Sequence, residues 1–163
     1  MPWFAITIKP HHEKAVQEGL DQKGLETFLP LYWATRRWSD RVKRLQLPLF
    51  SGYVFCRFDA GIRTPVLRTP GVRSIVSFGS DPLPVADFEI ERIQRILASG
   101  AGVEPWPFLK VGQRVRVGAG ALAGLEGILA EVRNTWRVVV NLELLQRSVA
   151  VQLDRDSIVP LSN

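Results

Sequence analysis

The chain is poor in cysteine: Cys56 is the only one in 163 residues. A lone thiol cannot close an internal disulfide, and the reducing cytoplasm is the expected location. No run of 18 or more apolar residues exists, so no transmembrane helix and no membrane partner are expected. The opening stretch Met1-Pro2-Trp3-Phe4-Ala5-Ile6-Thr7-Ile8-Lys9 lacks the charged start and long apolar core of a signal peptide. Histidine is also scarce. His11 and His12 are adjacent, with no cysteine or further histidine nearby, which is not zinc spacing. There is no Ser-His-Asp spacing, no glycine-rich phosphate loop and no paired zinc motif. Cys56 has apolar neighbours on a strand-like run, which fits a core position better than a nucleophile. A binding protein is expected, with no catalytic residue, no metal and no cofactor; a small nuclease is the enzyme alternative.

Hydrophobic residues make up 46% of the chain and charged residues 23%, as in folded globular proteins. Lys and Arg number 21 against 16 Asp and Glu. Residues 1–100 hold 14 basic and 10 acidic side chains, and the remainder holds 7 and 6, so the excess lies in the first part. A basic surface attracts polyanions such as nucleic acid.

The stretch Ser99-Gly100-Ala101-Gly102-Val103-Glu104-Pro105-Trp106-Pro107 reads as a linker, because glycine is permissive and proline interrupts pairing. It divides the chain into 1–98, a linker 99–108, and 109–163. The first part mixes strand and helix. Trp3 to Ile8 is a strand, His12 to Lys23 a helix ending at Gly24, and Glu26 to Leu29 a short strand. Trp33 to Gln46 reads as charged and irregular, and Leu47 to Phe58 as strand broken at Ser51-Gly52. Ile62 to Arg68 allows one helical turn and Val72 to Phe78 is strand. Asp87 opens a helix with Ile90, Ile93 and Leu97 on one side. The second part reads as strands alone: Arg114 to Val117, Leu125 to Val132, Trp136 to Leu142, and Ser148 to Leu153. The fold class expected is α+β: an N-terminal antiparallel sheet flanked by helices, then a small β-barrel that closes on itself to protect its edges.

Taken in order, these residues resemble the NusG family of transcription elongation and antitermination factors. Trp3-Phe4-Ala5-Ile6 is similar to the first strand of that family's N-terminal domain. Pro48-Leu49-Phe50-Ser51-Gly52-Tyr53-Val54-Phe55 is similar to its signature, with Ser51 in place of the usual proline. Thr69-Pro70-Gly71-Val72 and Pro82-Leu83-Pro84-Val85 match in spacing. Val111 to Val117, Gly124-Leu125-Glu126-Gly127-Ile128-Leu129 and Val151-Gln152-Leu153-Asp154 resemble a KOW segment on an SH3-like barrel. Pro10-His11-His12-Glu13-Lys14, Phe28 to Tyr32 and Arg37-Trp38-Ser39-Asp40-Arg41 resemble the specialised paralogues of the RfaH and UpxY kind.

The resemblance implies a monomer that binds the coiled-coil clamp helices of the largest RNA polymerase subunit. Trp3, Phe4, Ile6, Phe50, Tyr53 and Phe55 are the residues expected there, on an apolar sheet face left open for a partner. Arg36, Arg37, Trp38, Arg41, Lys43 and Arg44 carry five positive charges within nine residues around a stacking ring. The implied ligand is the single-stranded non-template DNA of the transcription bubble, and Lys9 and His12 are candidate base readers. In the barrel, Leu122 and Leu125 are expected to form an apolar spot for Rho or a small-subunit ribosomal protein, with Gly124 and Gly127 permitting tight turns. RfaH-type chains can refold this domain as helices. Here the β-branched run around Val138-Val139-Val140 favours the barrel. The alternative reading is an RNA-binding or ribosome-associated KOW protein.

Overall fold

The computed structural model describes residues 1–161; residues 162–163 of the expected barrel domain lie outside the described residues. In chain order the elements begin with β1 (Trp3–Ile8), α1 (Glu13–Gln22), β2 (Glu26–Phe28), β3 (Leu31–Trp38) and β4 (Arg41–Pro48). They continue with β5 (Tyr53–Arg57), α2 (Thr64–Leu67), β6 (Val72–Ile75), β7 (Ser77–Phe78), β8 (Asp81–Pro82), β9 (Pro84–Val85) and α3 (Asp87–Ala98). The last strands are β10 (Val103–Trp106), β11 (Arg114–Val117), β12 (Glu126–Val132), β13 (Thr135–Leu142), β14 (Arg147–Leu153) and β15 (Ile158–Pro160). Two compact units result: Met1–Leu31 with Phe50–Ile90, and Tyr32–Leu49 with Glu91 onward. This division differs from a cut at residue 98, because β3, β4 and α3 from Glu91 onward group with the C-terminal strands.

The first unit is built on β1. It pairs antiparallel with β5 on one side, from Trp3 opposite Arg57 to Thr7 opposite Tyr53. On the other side it pairs with β6 and, at its start, with β9. Strand β2 extends the sheet beyond β5. Successive side chains of a strand face opposite ways. Phe4, Ile6 and Ile8 therefore share a face with Val54, Cys56 and Phe58, and Val16 and Leu20 of α1 and Val66 of α2 join them in one buried cluster. Each such aliphatic side chain contributes about 1.5–3 kcal/mol by leaving water. The Phe4 and Phe58 rings lie 4.7 Å apart. Helix α1 stops at Lys23-Gly24, where Gly24 takes a positive φ of 79°. Lys23 Nζ then donates to the Pro65 carbonyl at 2.7 Å and to Thr69 Oγ1 at 2.9 Å, tying the end of α1 to α2. Pro65 falls in the first turn of α2, where its missing N–H costs nothing.

Between β4 and β5 the chain reverses at Phe50-Ser51-Gly52-Tyr53. Gly52 has φ of 89° and the Tyr53 amide returns to the Phe50 carbonyl at 3.2 Å. A positive φ at this place is what glycine accepts without strain. The buried Glu13 carboxylate at the start of α1 accepts from the Gly52 amide at 3.3 Å and fixes the turn.

In the second unit, six strands run β10-β14-β13-β12-β11-β15, all antiparallel. Val115, Val117, Val138, Val140, Val149 and Val151 are buried. The β12–β13 turn uses Arg133 and Asn134, both at positive φ, as a two-residue hairpin requires. Two expectations are corrected here. The stretch read as a linker forms β10, paired with β14 from Val103 opposite Val151 to Trp106 opposite Ser148. Pro105 is tolerated because β10 is an edge strand, where a missing N–H can face away from the ladder. The stretch read as irregular is a regular ribbon of β3 and β4 turning at Ser39-Asp40, since Trp33, Thr35, Trp38 and Val42 all favour extended backbone.

Candidate functional site

The sheet of the first unit has two apolar faces, and α1 and α2 join the cluster on only one of them. The other carries Trp3, Ala5 and Thr7 of β1 and Tyr53 and Phe55 of β5. Phe28 of β2 stands beside Phe55 with ring centroids 6.1 Å apart, and the Phe50 ring meets Phe55 edge-on at 5.9 Å. These rings form a continuous aromatic row. At its end the Arg57 guanidinium lies 5.5 Å from the centre of the Trp3 ring and is held between Glu26 and Asp87, each 3.5 Å away.

Two corrections follow. Phe4 and Ile6 belong to the helix-covered core, because the alternation of β1 turns them away from Trp3. The remaining face is not open: Trp3, Phe50 and Phe55 are 4%, 2% and 1% exposed. Of the rings on this face, Tyr53 and Phe28 are partly accessible. Alternation in the sequence marks two apolar faces but does not tell which is covered.

The ribbon differs. Arg36, Arg37, Arg41, Lys43 and Arg44 are exposed, and so is Trp38 at 61%. Trp33, missed as a site residue in the sequence, is 57% exposed, with the Arg44 guanidinium 5.0 Å from its ring centre. Its signal was the alternation of aromatic and basic residues from Trp33 through Arg44. The ribbon is a narrow two-stranded arm carrying cations and two large rings, which can neutralise phosphates and stack bases.

Lys9 and His12 are exposed at the turn from β1 into α1. The Lys9 amide donates to the Gly71 carbonyl at 2.9 Å, and the His12 Nδ1 lies 2.8 Å from the Pro10 carbonyl. His11 adopts a positive φ of 66°. The two candidate base readers thus stand together beside Gly71, within the first unit and apart in sequence from the ribbon.

In the barrel, Leu122 and Leu125 are buried, at 2% and 3%, so they do not form an exposed spot. Their loop is held by Arg95 of α3, whose Nη2 donates to the carbonyls of Ala121 at 3.0 Å and Ala123 at 2.5 Å. Gly124 sits at φ of 92°. A Cβ at Gly127 would collide with the Val139 carbonyl oxygen on the facing strand. Gly124 makes the expected turn, whereas Gly127 is not in a turn: it lies within β12, where the close approach of β13 leaves no room for a side chain.

The family described as "Transcription termination factor nusG" matches residues 1–94, more than half of the chain. The chain belongs to the NusG family. A transcription termination/antitermination protein NusG of Lactococcus lactis is 27% identical over 96% of this chain and 91% of its own length. One from Thermus thermophilus is 25% identical over 96% of this chain and 97% of its own. Among solved structures, one titled "Domain interaction in Thermotoga maritima NusG" superposes with a TM-score of 0.63, 23% identity and coverage of 99% of this chain and 97% of that one. It supports the fold: a mixed N-terminal sheet-and-helix part followed by a β-rich part.

Membership of the NusG family makes this a transcription factor. The UpxY and RfaH leaning drawn from the middle motifs has no counterpart in these matches. Among the described residues no group of three or more His, Cys, Asp or Glu is placed to hold a metal, and no helix is long and apolar enough to cross a membrane. Cys56 lies in the core, where burial pushes its thiol up to about 12 and leaves it neutral. A neutral thiol is a poor nucleophile.

Proposed function

We propose that this NusG-family chain acts by binding, without catalysis, as an elongation regulator that grips the clamp helices of RNA polymerase through the aromatic face of its first unit. One observation carries the reading: a row of rings, Phe28, Phe55 and Phe50 with Tyr53 and Trp3, on the sheet face opposite the core formed with α1 and α2. Aromatic rings bury much area at small entropic cost and dominate protein interfaces. Tyr53 and Phe28 supply the accessible edge, and docking uncovers the buried rings. The ribbon, through Arg36, Arg37, Trp38, Arg41, Lys43 and Arg44, tracks the single-stranded non-template DNA, and Lys9 and His12 contact bases. The barrel recruits a second factor, Rho or a small-subunit ribosomal protein. Leu122 and Leu125 take part only once Arg95 releases their loop.

Such a clip biases polymerase toward its closed, DNA-gripping state by as much as its affinity for the two states differs. A difference of about 1.4 kcal/mol changes pausing tenfold. Transcription in vitro with purified polymerase, on templates with and without pause sites, tests this. Pause lifetimes are expected to change several-fold with the chain present; unchanged lifetimes at saturating chain reject the reading. Co-purification separates it from a ribosome-associated role, since polymerase subunits are expected and ribosomal subunits alone would favour the latter.

A further inference from the structure

Within the second unit lies a cleft of about 510 Å³, to whose lining the roles above assign only Arg36. One wall is β3, with Tyr32, Trp33, Thr35 and Arg36; the other is β10, with Val103, Glu104 and Pro105. Both walls are strand edges, because among the described residues β3 pairs only with β4 and β10 only with β14. Pro105 has no N–H to offer across the gap.

The cleft combines three chemistries. Trp33 is more than half exposed and steadied by Arg44, 5.0 Å from its ring centre, and Tyr32 precedes it on the same wall. Arg36 is an exposed cation at the end of that wall. On the far wall the Glu104 carboxylate is fixed in place: Arg137 Nε donates to its Oε1 at 2.9 Å, and Arg137 is itself held by Thr135 Oγ1 at 2.6 Å and lies 5.4 Å from the Trp106 ring centre. The Glu104 side chain remains 44% exposed, so its carboxylate is accessible from the cleft side. A ring to stack on, a cation for a phosphate and an oriented acceptor are what recognition of an unpaired base requires.

We propose that this cleft seats one base of a single-stranded nucleic acid. The base stacks on Trp33, Arg36 takes an adjoining phosphate, and Glu104 accepts from the exocyclic amino group of the base. The inference rests on reading the ribbon as a nucleic-acid contact, and it adds selectivity that the exposed cations cannot supply. Cytosine and adenine present an amino donor to a carboxylate. Thymine presents an N–H flanked by two carbonyl oxygens, which a carboxylate repels. Cytosine is therefore preferred to thymine.

The test measures binding of the full chain to short fluorescent oligo(dC), oligo(dT) and oligo(rC) across a salt series; the ribonucleotide arm tells whether DNA or RNA is the better ligand. Oligo(dC) is expected to bind several-fold tighter than oligo(dT). Glu104→Gln is expected to narrow or reverse that ratio, because its amide donates to thymine carbonyls, while the salt slope stays constant. Trp33→Ala is expected to weaken binding about tenfold, with Trp33→Phe retaining most of it. Thermal melts of each variant separate weakened binding from impaired folding. If Arg37→Glu with Arg41→Glu weakens binding but Trp33→Ala and Glu104→Gln do not, the cleft belongs to another occupant, such as an extended peptide between the two strand edges, and the proposal falls alone. If no oligonucleotide binds the unaltered chain, the proposal falls together with the reading of the ribbon.

Discussion

Single side chains give the account its sharpest tests. Phe50 is buried at the β4–β5 turn, edge-on to Phe55. Phe50→Ala should cost about 3–5 kcal/mol of stability, read as a large fall in the melting temperature. Tyr53 is only half-buried and should cost much less. Cys56 makes a chemical prediction. Its thiol ionises only near pH 12 in the fold, against 9.0 ordinarily, because burial disfavours the thiolate. Below pH 9 the group is neutral whether the chain is folded or not. From there to about 12 only the unfolded chain ionises, so the fold loses stability across that window. At pH 8 a thiol-alkylating reagent should leave Cys56 unmodified in the native chain and label it rapidly in urea; equal rates would contradict its burial.

At this scale the sequence was a good guide to which residues share a face and a poor one to which face is covered. The alternation Trp3-Phe4-Ala5-Ile6 separates two sets without ambiguity. Assigning Phe4 and Ile6 to an interface failed because both sets are apolar and both are buried: Phe4 and Ile6 join Val16, Leu20 and Val66 in one cluster, and Trp3, Phe50 and Phe55 are buried on the opposite face. The burial of Leu122 and Leu125 was equally hidden: their loop also binds Arg95, more than twenty residues earlier, through the carbonyls of Ala121 and Ala123.

Among elements, the ribbon of β3 and β4 matters most. Its charge was visible in Arg36 through Arg44, but its regularity was not, because nine residues with six charges read as loop. Strand formation here comes from β-favouring Trp33, Thr35, Trp38 and Val42 interleaved with the cations, so an arm forms that holds its charges at fixed spacing. Reversing Arg37 and Arg41 to Glu should weaken single-strand binding. The dependence of log affinity on log salt should flatten by about 0.7 for each phosphate that the ribbon no longer neutralises. An unchanged slope would mean the ribbon's charges are only solvated. Strand β10 shows the complementary error: prolines at 105 and 107 suggested a linker, yet an edge strand accepts a proline whose missing N–H faces outward.

For the whole molecule, the order of motifs along the chain was more legible than any one of them, which is why family and fold class could be read before either unit was seen. The boundary between units was not legible, because β3, β4 and most of α3 group with the C-terminal strands through contacts far apart in sequence. The central claim is that the aromatic side of the first sheet grips polymerase. The most direct measurement compares the affinity of core RNA polymerase for the unaltered chain and for Tyr53→Ala, with melting temperatures recorded alongside. A tenfold or greater loss of affinity with a melt lowered only slightly is the predicted result; equal affinity of the two chains would contradict the account.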